Sequence, residues 1–212
     1  MARRRYSSND QSVSQQTKGV NNAMQQLIDI WKKAVAIGIA LLATLWAIYI
    51  IDALFLGGSL RSHGIRPRQL TGLSGILFGP LFHGSISHLF NNSIGIILLG
   101  SIILLRGIAK FIFVTLVSML ISGIGIWLIG GSGTNHIGYS GIIFGYFGYL
   151  LLTGIFDKKL GSILISIFTV TLYGGMIFGV LPTHVGISWE GHLFGFIGGV
   201  ISAFLLSKFR VI

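Results

Sequence analysis

Gly138-Tyr139-Ser140-Gly141-Ile142-Ile143-Phe144-Gly145-Tyr146-Phe147-Gly148-Tyr149-Leu150-Leu151-Leu152-Thr153-Gly154-Ile155 runs without a charged side chain. Its length is near the ~20 residues a helix needs to cross a bilayer. In lipid each backbone N–H and C=O must be satisfied within the segment, so the stretch reads as a membrane helix. Comparable runs stand at 34–57, 87–105, 110–130, 160–179 and 190–207. The expected fold class is therefore an all-α membrane protein, a bundle of six transmembrane helices. A composition of 52% hydrophobic and 9% charged residues, with a mean hydropathy of +0.83, lies far from that of a soluble domain.

Outward from the spans, two segments need separate readings. Residues 1–33 are polar and basic, open on Arg3, Arg4 and Arg5, and lack the apolar region and cleavage site of a signal peptide. They are expected to form a mobile, uncleaved cytoplasmic tail, with Met24 to Trp31 lying along the membrane surface and 34–212 making one membrane domain. The segment 58–86 is too long for a simple turn and joins Arg61, Arg66, Pro67 and Arg68 to Phe78, Leu81 and Phe82. It is expected to sit partly in the interface.

The formal charge of +10 is scattered at the ends of apolar runs rather than gathered into a patch with interleaved aromatics, which argues against nucleic acid as a partner. It reads instead as topology. Arg3, Arg4, Arg5, Lys18, Lys32, Lys33, Arg106, Lys110, Lys158, Lys159, Lys208 and Arg210 fall on one side of the six spans. Only Arg61, Arg66 and Arg68 fall on the other. The positive-inside rule puts both termini in the cytoplasm and the 58–86, 131–137 and 180–189 loops outside. The chain contains no cysteine, so disulfides and thiolate chemistry are excluded.

Polar side chains within spans are costly, and four of them lie near the outward ends: Ser140, His192, His88 and Asn92. His88 and Asn92, four apart, share a helix face and can aim two donors at one point. A serine hydroxyl attacks only when a neighbouring base takes its proton, and the oxyanion formed needs preset donors. Ser140 is the expected nucleophile and His192 its general base, with His88, Asn92 and the Ser140 backbone N–H as the oxyanion hole. Gly191, Gly195 and Gly199 form a small-residue stripe on the last span, and Gly141, Gly145 and Gly148 line the fourth, so these helices can approach closely. Plain packing explains the glycines equally well.

This pattern resembles the rhomboid intramembrane proteases. The likeness runs from about 50 to 207 and includes Gly64-Ile65-Arg66-Pro67-Arg68, His83, His88-Leu89, Asn92, Gly138 to Gly141, His192, Gly195 and Gly199. It implies a six-helix rhomboid-like bundle and a cavity open to the outside. It also implies a Ser/His dyad without a third acid, and cleavage of single-span membrane proteins at a small residue. His83 would then help shape the first loop and the site. Where some relatives carry a tyrosine against the histidine this chain has Phe144, which keeps the stacking face and loses the hydroxyl. The Trp-Arg pair that some relatives carry in the first loop is missing.

Other chemistries fit less well. A zinc protease needs two histidines four apart with a glutamate between them, and an aspartyl protease needs paired intramembrane aspartates. His83 and His88 are five apart with no acidic partner, so neither a metal nor another cofactor is expected. Glu190 is about 200° around a helix from His192, and Asp52 is expected to anchor the first loop. A catalytically inactive rhomboid-like protein that binds transmembrane segments, and a transporter, are the rival readings. The first is opposed by the intact Ser140 and His192, and the second by the lack of a repeat within the six spans. His63, His136 and His184 are expected in outward loops, with His136 contributing only if its loop folds over the cavity. The fifth span and the 180–189 loop, with Gly179, Pro182 and Gly186, are expected to move aside for substrate. The plain, cysteine-free build suits a prokaryotic plasma membrane.

Overall fold

The computed structural model describes residues 2–182 and 186–209; His184 lies outside the described residues. Among the described residues six helices are long and apolar enough to span a membrane: α1 (Ala2–Phe55), α2 (Ile86–Leu105), α3 (Ile108–Ile129), α4 (Ser140–Asp157), α5 (Leu160–Val180) and α6 (Trp189–Phe209). Their ends fall within a few residues of the apolar runs, except at the N-terminus. There the segment expected as a mobile tail continues α1 back to Ala2. No proline interrupts it, and its Gln, Asn, Ser and Lys residues tolerate a helix, as the Gln25 to Asp29 side-chain bond one turn apart illustrates.

α4 sits in the middle of the bundle, with 61% of its span buried, and its Tyr146, Phe147, Tyr149 and Leu150 are almost wholly enclosed. It lies closest to α6. A Cβ on Gly195 would run into the Gly141 carbonyl, and one on Gly199 into the Gly145 carbonyl, so only glycine permits this backbone approach. Ser122 of α3 ties the same junction by donating to the Gly191 carbonyl at 2.8 Å. α2 contains one π turn at Ile96–Gly100, and α5 ends in a 3-10 stretch, Gly174–Val180.

The long 56–85 connection is a string of short turns held at both ends. Asp52 accepts from the Leu60 N–H at 2.9 Å and from Arg61 Nε at 3.2 Å, and Arg61 donates onward to the Gly84 carbonyl. Ile65 and His136 exchange backbone hydrogen bonds of 2.9 Å, and the Asn135 side chain accepts from Gly64 N–H while donating to the Arg61 carbonyl. The first loop is thereby stitched to the α3–α4 loop. At the opposite end of the bundle Arg106 reaches Asp157 at 2.7 Å and also donates to Thr153 and Ser162.

Candidate active site

Three helix starts meet at one end of the bundle. Ser85 caps α2, its hydroxyl accepting the His88 N–H, which fixes His88 in the first turn with Asn92 one turn behind. Gly138, at φ 109°, takes a backbone conformation that side chains avoid and turns the chain into α4 immediately before Ser140. A Cβ there would lie 2.5 Å from His88 Nε2 and 3.4 Å from Asn92 Nδ2. Ser188 sets the start of α6, its hydroxyl accepting from the Gly191 N–H and its carbonyl from the His192 N–H. Each candidate side chain thus projects from a fixed first or second helical turn.

His192 Nε2 lies 3.0 Å from Ser140 Oγ, and its Nδ1 lies 2.9 Å from the carbonyl of Gly179, at the end of α5. A carbonyl can only accept, so Nδ1 carries the proton, and in the neutral ring Nε2 offers its lone pair to the serine hydroxyl. Phe144 stacks on this imidazole, ring centroids 4.0 Å apart and planes 8° from parallel. The His192 ring is held by one hydrogen bond on each nitrogen and one aromatic face.

Asn92 Nδ2 donates to His83 Nε2 at 2.9 Å. An amide nitrogen has two hydrogens, so one is left over, and Asn92 stands buried against Gly138 rather than in the wall of the cleft. His83 also meets His88 edge to face at 5.0 Å, which makes it the strut behind both expected oxyanion donors. Burial, with the His88 charge beside it, pushes the His83 pKa down to about 4, so the ring is neutral at physiological pH. As the first residue of α4, Ser140 has a backbone N–H with no acceptor inside the helix, free to serve as a third donor.

The site opens into a cleft of about 1000 Å³ bordered by His88, Asn91, His136, Ser140, Trp189 and His192. A second, small cavity of about 30 Å³ also touches Ser140 and lies among Met119, Ser122, Ile126 and Gly138. His136 is brought to the cleft: its loop folds inward, with Nδ1 2.7 Å from Ser188 Oγ and Nε2 2.6 Å from Thr134 Oγ1. Burial lowers its pKa, against the raising effect of the Glu190 charge. Asp52 stays with the first-loop turn, and His63 is occupied with Ser59 and Ser62. The Gly179 carbonyl went unnoticed in the sequence, because a backbone acceptor has no residue signature.

Six apolar helices among the described residues, with a serine and a histidine in contact at one end, define a multi-pass membrane protein. The Rhomboid domain family matches residues 80–209, and the chain belongs to that family. It is 40% identical over 173 residues to an uncharacterized protein of Mycobacterium tuberculosis, covering 78% of this chain and 72% of that one. It is also 40% identical over 174 residues to an uncharacterized protein of Mycobacterium leprae, covering 78% and 68%. A "putative rhomboid protease" of Bacillus subtilis is 34% identical over 128 residues, covering 59% and 63%. These are bacterial relatives, in keeping with a prokaryotic membrane.

Proposed function

We propose that this protein is an intramembrane serine endopeptidase that cleaves single-span membrane proteins within or near their transmembrane segment, without a cofactor. The observation that carries the reading is the 3.0 Å contact between Ser140 Oγ and a His192 Nε2 whose lone pair faces it. Ser140 Oγ attacks the peptide carbonyl carbon as His192 Nε2 takes its proton. The oxyanion is met by the Ser140 N–H, His88 and the free Asn92 hydrogen. The C–N bond then breaks, His192 returns the proton to the leaving amine, and a water activated by the same ring releases the acyl enzyme.

A peptide bond inside a helix is sheltered by its own hydrogen bonds, so the substrate has to unwind where it meets Ser140. The cleft beside Ser140 supplies water, and the small cavity has room for about one water-sized group, which supports a small side chain before the scissile bond. The charge distribution supports a plasma-membrane orientation with both termini cytoplasmic and the cleft open to the outside.

The test is cleavage of a single-span fusion substrate by purified protein in detergent, comparing wild type with Ser140→Ala and His192→Ala variants of matched thermal midpoint. Cleavage by wild type alone is expected. No cleavage by wild type across several fusions would favour a rhomboid-like binder of transmembrane segments, and cleavage surviving Ser140→Ala would refute the mechanism.

A further inference from the structure

We infer that the Gly179 backbone carbonyl, in the last turn of α5, is the third member of the catalytic relay, a positioning group that holds the proton on His192 Nδ1 and so turns Nε2 toward Ser140. The inference rests on the protease reading. His192 has its proton on Nδ1 because Gly179 accepts it at 2.9 Å. Without that acceptor the imidazole exchanges between tautomers, and the one protonated on Nε2 cannot accept from Ser140. A buried aspartate does this work in a serine triad; here a carbonyl at the end of a helix does it.

Glycine at 179 is what brings that carbonyl near. A Cβ there would lie 2.6 Å from Phe144 Cζ, and Phe144 is the ring stacked on His192. Gly179, Phe144 and His192 therefore form one contact set, in which a larger residue must displace either the carbonyl or the ring.

The test uses the full chain in detergent, labelled with 15N-histidine, the His192 ring signals being assigned by their loss in His192→Gln. A second readout is the rate at which a small fluorophosphonate modifies Ser140, a reaction that forms the Oγ–P bond, expels fluoride and passes the serine proton to His192. Two variants are compared: Gly179→Ala, and Met176→Ala, which truncates a side chain by which the same turn grips the core. The expected result is an Nδ1-protonated His192 in wild type. Either variant that folds should show a mixture of tautomers and at least about tenfold slower modification, with a thermal midpoint within a few degrees of wild type. A wild-type ring protonated on Nε2, or variants that keep Nδ1 protonation and the wild-type rate, would overturn the relay. A wild type that neither reacts nor cleaves overturns the protease reading as well, and is told apart from failure of the relay alone, in which wild type reacts.

Discussion

His83 touches no reacting atom in the proposed mechanism, yet it is almost completely enclosed and holds Asn92 at 2.9 Å. Its depressed pKa, about 4 against an ordinary 6.5, has a consequence for the fold. Between those values the unfolded chain binds a proton that the folded chain refuses. Stability is therefore undiminished above pH 6.5 and falls as the pH drops toward 4, by about 3 kcal/mol from this residue when fully developed. Thermal midpoints in detergent should fall from pH 7 to pH 4.5 in wild type and markedly less in His83→Gln, which removes the titration and retains a polar group for Asn92. Parallel curves for the two proteins would mean that His83 is not the sensitive group. In the sequence only the family resemblance sets this histidine apart from the exposed His63; residue type and neighbours do not. The difference between them is burial and a partner nine residues away on α2.

At the level of elements, most of the architecture was legible because the bilayer imposes it. A run of apolar residues long enough to cross has one available structure, and all six runs became helices near the expected limits. The helix that runs back through the tail was harder to read for the converse reason: a polar segment carries no membrane signal, and only weak propensities favour a continuation of α1. Ser140, His192, His88 and Asn92 could be placed together because each opens a span on the same side. The inward fold of His136 depends on backbone pairing with Ile65 and a bond to Ser188, contacts between segments far apart in the chain. The α4–α6 junction connects the two levels, since the glycine stripe sets how far Ser140 stands from His192. Gly195→Val places a branched side chain against the Gly141 carbonyl and should force the helices apart. A cost of about 1–3 kcal/mol and, for a shift near 1 Å, a roughly hundredfold loss in kcat are expected. Gly161→Ala, where an added Cβ meets nothing within 4 Å, is the control and should leave both unchanged. Equal activity in the valine variant and the control would show that the close approach does not set the dyad.

At the scale of the whole molecule, the arrangement makes sense only with a defined orientation, because the cleft must face water on one side of the bilayer. The basic residues predict which side: twelve fall with the termini and the α2–α3 and α4–α5 turns, against Arg61, Arg66 and Arg68 on the cleft side. The structure bears on how each group is used. Arg106 is drawn into a pair with Asp157, while Arg61 and Arg68 are spent on the Asp52 turn and on the Leu128 carbonyl and Ser132 hydroxyl, so the cleft-side arginines serve the loop. A chain with no cysteine allows a direct measurement. Single Thr71→Cys and Lys159→Cys variants, both at exposed positions on opposite ends of the bundle, should react oppositely with a membrane-impermeant maleimide added to intact bacterial cells whose outer wall admits the reagent. Thr71→Cys should label nearly completely, and Lys159→Cys only after the membrane is opened. The reverse pattern would put the cleft in the cytoplasm, and Ser140 would then meet transmembrane segments from the inner face of the bilayer rather than the outer one.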